Sequence, residues 1–294
     1  MIMILIGEDL NVMSGEISRV IKEQEPGPIQ ECVTEQTKNG MDYLDVNVGP
    51  VKKDPEGTME WLINTVQAVT ELPLCLDTTN PVAMEAGLKF CQKKALINSA
   101  SGATESMETM LPLAAKYSAD VVLSVINDSG LPSDADERAA SIMESAAVAN
   151  ELGIPNENIW VDPVLLPIGV DQRQVTAYLE FIQMLQDLMP GAKSTCGLSN
   201  LSYGAPRELK SLLNRTFLVM IGRYGQHSAI VSGFDHELIR LIRGEEPEMV
   251  DLIYRAMDEE DMDTSALPQK ELEYVKTAQV LMGKSLYSHS WLEV

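Results

Sequence analysis

Four residues capable of hydrogen-bond chemistry stand at the ends of short apolar runs. They are Asp77 in PLCLD (73–77), Asn98 in ALIN (95–98), Asp162 in WVD (160–162) and Asn200 in STCGLSN (194–200). Asp45 and Asn47 stand in a similar run, YLDVN (43–47), and Glu8, Asp9 and Asn11 close IGEDLN (6–11). Another run, DVVLSVIND (120–128), ends in Asn127 and Asp128. Taken singly, Asn80 or Asp128 needs no more explanation than a turn or a helix cap, where Asn and Asp are favoured anyway. Repetition at the end of run after run asks for more. The set holds carboxylates and carboxamides. It lacks a Ser-His-Asp order, a cysteine nucleophile, a lysine for a Schiff base and a glycine-rich phosphate cradle.

Asp accepts hydrogen bonds from N–H groups, and Asn both donates and accepts. Such a rim suits a flat heterocycle with an amino group, ring N–H groups and a carbonyl. A phosphate would want positive charge or free backbone N–H groups instead. The chemistry points to a guanine-like or a pterin-like ring and does not choose between them.

The elements that must position these residues follow from the hydrophobic pattern. Eight near-continuous apolar runs occur at 3–7, 43–49, 72–78, 94–100, 120–128, 158–164, 193–199 and 228–233. Strands buried on both faces of a parallel sheet read this way. The intervening stretches have helical spacing, as in Val175, Tyr178, Leu179, Ile182, Leu185 and Leu188 before MPG. A second, Ala- and Glu-rich helix ends at Gly153. Strand–helix alternation repeated eight times predicts an α/β fold, either a closed (β/α)8 TIM barrel or an eight-stranded doubly wound sheet; the barrel is preferred, with its site at the C-terminal strand ends. No G-x-G-x-x-G follows the first strand. Residues 1–294 are read as a single domain with an acidic helical excursion at about 244–270. Within it, residues 244–263 hold nine acidic side chains and one basic one. That segment is read as a solvated helix and loop, or as a recognition element. The aromatic residues of the last eleven positions predict a docked tail.

The net charge of −22 argues against nucleic acid and against an anionic membrane surface. No run reaches the ~18 apolar residues of a membrane span. The N-terminus is too short in apolar residues for a signal peptide. Four cysteines without a CxxC pair read as buried, reduced thiols of a cytoplasmic protein. Three histidines without zinc-type spacing predict no metal site.

The motifs IGEDLN, LDVNVGP, PLCLDTTN, EAGLKFCQKKALINS, WVDPVLLP, STCGLSN and LLNRTFLVM together resemble the methyltetrahydrofolate/corrinoid protein methyltransferases. This is a pterin-binding barrel family, with dihydropteroate synthase as a more distant branch. The resemblance runs from the first strand to about residue 240. It implies a methyl group moving between N5 of tetrahydrofolate and the cobalt of a cobalamin carried by a separate corrinoid protein. Tetrahydrofolate or 5-methyltetrahydrofolate is the substrate, and the protein is expected to be a homodimer. By resemblance, Asp77, Asn98 and Asp162 hold the pterin, with Asp162 on the 2-amino group and N3–H. Asn200 meets N5, which changes protonation as the methyl moves, so Asn200 and Asp77 are the catalytic candidates. Tyr203 is placed beside the ring, Arg207 on the folate tail carboxylate, and Asn11, Asp45 and Asn47 among the folate-binding residues.

Three departures qualify the resemblance. Stand-alone relatives read Gly-Glu-Arg where this chain has Gly7-Glu8-Asp9, which places a negative charge at the expected pocket mouth. The loop LSYGAPRELKSL differs from the better-known relatives. The last strand, SAIVSGFD, lacks the Arg-x-His of dihydropteroate synthases. With the acidic segment and the SLYSHSWLE ending, these features suggest transfer from a methyl-Co(III) corrinoid protein to tetrahydrofolate in a demethylation pathway. The alternative is transfer from 5-methyltetrahydrofolate to a Co(I) corrinoid/iron-sulfur protein in acetyl-CoA synthesis. A dihydropteroate synthase-like condensation and a non-catalytic folate binder rank below both.

Overall fold

The computed structural model describes residues 3–11, 15–49, 53–260 and 262–293. Pro50 of the LDVNVGP motif, Asp261 of the acidic segment and Val294 of the tail lie outside them.

All eight expected strands are present: β1 Ile4–Leu10, β2 Tyr43–Asn47, β3 Leu74–Asp77, β4 Leu96–Gly102, β5 Asp120–Asn127, β6 Ile159–Asp162, β7 Lys193–Ser194 and β8 Ser228–Val231. The helices between and after them are α1 Gly15–Glu23, α2 Pro26–Lys38, α3 Pro55–Gln67, α4 Pro81–Phe90, α5 Thr104–Tyr117, α6 Ala135–Glu151, α7 Arg173–Leu188, α8 Arg207–Arg223, α9 His236–Arg243, α10 Pro247–Asp258 and α11 Gln269–Leu281. Every paired strand runs parallel to its neighbour, in the order β7-β6-β5-β4-β3-β2-β1-β8. This is a (β/α)8 barrel.

The barrel closes weakly between β7 and β8. Ladder pairing of β7 stops at Ser194, short of the expected 193–199. Side chains then take over: Ser228 Oγ donates to Ser194 O (2.8 Å), and His227 N donates to Ser194 Oγ (2.9 Å). One backbone bridge, Gly197 to Ile230, completes the ring, with Ile230 N donating to Cys196 O at 2.8 Å. The chain then turns through a 3-10 segment at Leu198–Asn200.

Two cores result. The larger lies between sheet and helices. A smaller one, inside the barrel, contains Ile6, Cys75, Leu96, Val122 and Trp160, with Ile4, Tyr43 and Ile230 partly buried against it. Trp160 fills the N-terminal end. Its ring meets Tyr43 and His227 edge-on at 5.6 and 5.2 Å, and Lys193 Nζ lies 5.0 Å from it. Its indole N–H donates to the Asp120 carboxylate (3.0 Å). With that end filled by Trp160 and by Asp120 and Lys193 around it, the inward face is open to a ligand toward the C-terminal ends of the strands.

The acidic segment is built into the fold. Helix α10 buries Met249, Leu252, Ile253, Ala256 and Met257. The tail is docked: Trp291 is buried, its N–H donating to Thr277 Oγ1 (3.0 Å), and the Gln172 amide donates to Ser285 O (2.7 Å).

Candidate active site

Side chains in a strand alternate faces, so an inward residue is followed two positions later by another. Ile6 is thus followed by Glu8, Tyr43 by Asp45 and Asn47, Cys75 by Asp77, Leu96 by Asn98, Val122 by Ser124 and Trp160 by Asp162. One apolar layer closes the barrel, and the layer above it is polar. This brings the residues from six separate strands to one end.

On β2 to β4 the polar groups form a connected set. Asn47 Nδ2 donates to Asp77 Oδ2 (2.5 Å), and Asn98 Nδ2 donates to Asp45 Oδ1 (3.3 Å). The other end of the Asn47 amide accepts Gly49 N–H (2.8 Å), which fixes its flip. Asp162 stands on β6, four strands from β2. Its Oδ1 accepts the N–H of Val164 (2.8 Å), a valine held in the left-handed region at φ 62°. Asn200 closes the 3-10 turn after β7. A Cβ added at Gly197 would meet Asn200 Nδ2 at 3.3 Å, so the amide folds back over that glycine. Ser199 beside it donates to Glu8 of β1.

Other expected residues lie further out. Tyr203 is 75% exposed on the loop after β7, and Arg207 is exposed in the first turn of α8. Asn11 is half-buried one residue beyond β1. Asn80 accepts the N–H groups of Val82 and Ala83 and caps α4. Asp128 accepts from Thr104 N and Oγ1 at the start of α5, and Asn127 shapes the turn after β5. These three have ordinary cap and turn roles. Asp9 is not a charge at the pocket mouth: its carboxylate accepts Ser232 Oγ (2.9 Å) and Gly233 N (2.7 Å), tying β1 to the loop after β8.

Three residues near the site escaped the sequence reading. Ser124 and Thr195 were legible in principle, two positions beyond Val122 and Lys193. Arg138 was not, because nothing in an Ala-rich helix marks one arginine as fully buried. Its guanidinium donates to Pro163 O (3.0 Å), Asp134 O (3.2 Å) and the Gln174 amide oxygen (2.6 Å). It clamps the loop that follows Asp162.

Burial dominates the electrostatics. It pushes Glu8 up to about 7; the Ser199 hydroxyl opposes the rise and the Asp9 charge adds to it. Asp77 rises to about 6, opposed by Asn47. Asp162 also rises to about 6, opposed by the Val164 N–H and the Arg138 charge. Asp45 is raised well above the usual carboxylate range, by burial first and then by the Asp77 charge. Such a pocket favours ligands that bring N–H donors or positive charge.

A stability prediction follows. Protonated, these carboxyls tolerate burial; ionised, they do not. Their folded values lie above their unfolded ones, so their contribution is fully present below about pH 4 and lost as pH rises through 6 to 7. Raising one carboxyl from 3.8 to about 6 corresponds to about 3 kcal/mol. The melting temperature of the ligand-free protein is expected to fall between pH 5 and about 7.5. A bound N–H-rich ligand is expected to restore it most at the upper end. A melting temperature that is flat or rising over that window contradicts this account.

A (β/α)8 barrel with a largely half-buried ring of Asp and Asn at its C-terminal end is of the pterin-binding type. The chain belongs to the pterin binding enzyme family, whose pattern it matches over residues 7–231. It is 26% identical over 242 residues to the methylcorrinoid:tetrahydrofolate methyltransferase of Eubacterium limosum, covering 82% of this chain and 89% of that one. Among solved structures it is similar to the dihydropteroate synthase of Thermus thermophilus, with TM-score 0.64 and 21% identity over 84% of this chain and 94% of that one. The Stenotrophomonas maltophilia dihydropteroate synthase gives TM-score 0.62 and 17% identity over 83% and 93%. At these identities the two synthases share the fold. No helix among the described residues is long and apolar enough to cross a membrane.

Proposed function

We propose that this protein transfers a methyl group from the cobalt of a methylated corrinoid protein to N5 of tetrahydrofolate. The observation that carries the reading is the set of buried Asp45 and half-buried Asp77, Asn98 and Asp162, with Asn200 turned over Gly197, on a chain related to a methylcorrinoid:tetrahydrofolate methyltransferase. Asp162 accepts the N–H edge of the pterin, and the Asp77–Asn47 and Asp45–Asn98 pairs hold the remaining ring edge. Arg207 is positioned for the folate tail carboxylate and Tyr203 for the outer ring face, with Asn11 near the mouth. Cobalamin arrives on the partner, and two copies of the chain form the working dimer in the cytoplasm.

In the reaction, the N5 lone pair attacks the methyl carbon. The carbon–cobalt bond breaks with both electrons left on cobalt, which leaves as Co(I). Methylated N5 is cationic until it sheds its proton. The carboxylate-rich pocket stabilises that cation, and Asn200 meets it without adding fixed charge. Glu8, with its pKa near 7 and joined to Ser199 next to Asn200, is suited to take the proton at neutral pH.

The direction rests on the relative. Asp9 no longer supports it, because its carboxylate is occupied inside the protein. Transfer from 5-methyltetrahydrofolate to Co(I) uses the same groups in reverse. Mixing the protein with methylcobalamin and tetrahydrofolate is expected to convert the methylcobalamin absorption to that of cob(I)alamin. No conversion, combined with consumption of p-aminobenzoate, would replace this reading with a synthase.

A further inference from the structure

Thr195 lies inside the barrel beside Asp162. The register pairs Trp160 with Lys193 and Val161 with Ser194, so Thr195 stands next to Asp162, and its N–H donates to Val161 O (2.9 Å). Alternation fixes its direction. Lys193 points inward, with Nζ 5.0 Å from the Trp160 ring centre and 3.3 Å from Asp120 Oδ2. Cys196 points outward, toward Tyr178 of α7. Thr195 therefore shares the inward face with Lys193 and rises one layer above it, to the level of the polar ring.

Its hydroxyl is unusual there. Thr195 is 1% exposed, and its Oγ1 has no hydrogen-bond partner among the described residues. Burying a hydroxyl unpaired is unfavourable, so most buried hydroxyls are satisfied within the protein. Valine has the same shape and would fill this place without that cost. A threonine here leaves one donor over for a ligand group.

We infer that Thr195 is a further substrate-contact residue, its hydroxyl donating to the ring carbonyl next to the N–H edge held by Asp162. The inference rests on the ring placement proposed above and deepens it. A carboxylate takes the amino group and ring N–H, while a neighbouring hydroxyl takes the carbonyl. Together they read three consecutive groups of one ring edge. A ring lacking that carbonyl would leave the hydroxyl unpaired, so Thr195 adds specificity as well as affinity.

The test is Thr195→Val, with Thr195→Ser and Asp162→Asn beside it, each titrated with tetrahydrofolate by calorimetry and melted without ligand. Thr195→Val is expected to bind about ten-fold more weakly and to melt a few degrees higher, because an unpaired buried hydroxyl has been removed. Thr195→Ser, which keeps the hydroxyl, is expected to bind close to wild type. Wild-type affinity in Thr195→Val overturns the contact. A lower melting temperature in that variant also overturns it, since the hydroxyl would then have a partner in the free protein. Equal losses in the valine and serine variants point to packing and overturn it as well. Undiminished binding in Asp162→Asn would remove the ring placement itself and the Thr195 contact with it. Loss in Asp162→Asn alone leaves the ring where it is and removes only Thr195.

Discussion

Asn200→Ala is expected to slow the methyl-transfer step by about 10²-fold while leaving tetrahydrofolate affinity nearly unchanged. The reason is where the charge develops. N5 is neutral in the bound ground state and gains positive charge as the methyl arrives, so a group that meets N5 matters most in the transition state. Asn200 is held for such a role by its own backbone: its N–H donates to Gly197 O (3.2 Å), and its side chain lies over the same glycine. Alanine keeps the turn and removes only the amide. Single-turnover mixing with methylcobalamin separates the chemical step from binding, and calorimetry gives the affinity. Equal losses in both would make Asn200 a binding group alone.

Asp162→Asn is expected to show the opposite pattern, weakening tetrahydrofolate by about 30-fold or more with a smaller effect on the bound complex's rate. Removing an ionised acceptor from a buried pair of N–H donors costs about 2 kcal/mol or more. The Asn oxygen can still accept the Val164 N–H, so the left-handed turn that follows is retained. The pH profile gives a second readout. Ionised Asp162 is the binding form, and burial has raised it to about 6. Affinity in the native protein is therefore expected to fall as pH drops through that value, and the asparagine variant is expected to lose that limb. A dissociation constant unchanged by the substitution would sink the placement of the pterin on β6.

The division between what was readable in advance and what was not follows physical lines. Eight buried parallel strands announce themselves as apolar runs, because both faces of each are covered, and all eight lie where the runs predicted them. The ring of Asp45, Asp77, Asn98 and Asp162 was legible for a related reason. An inward polar residue two positions after an inward apolar one breaks a hydrophobic run where the barrel opens. The helix of residues 173–188 followed equally directly from its spacing.

Other features depend on contacts between residues distant in the chain. The charge at position 9 looked available to a partner. It is consumed by Ser232 and Gly233, which are over two hundred residues away in sequence. Asn127 and Asp128 matched the pattern of site residues by type, yet the helix N-terminus and the turn beside them use their oxygens. Ladder pairing of β7 is short, and serine hydroxyls join it to the start of β8, which no local propensity encodes. Arg138 clamps the Asp162 loop only because α6, the loop after β6 and the start of α7 converge on it. The sequence alone determined the barrel, its polar end and the residue types there, since periodicity and composition are local properties of the chain. Which of those polar groups stay free for a ligand, and how far burial raises their pKa values, was decided by the tertiary structure. Hydrogen-bond partners and desolvation exist only once the strands and loops are brought together.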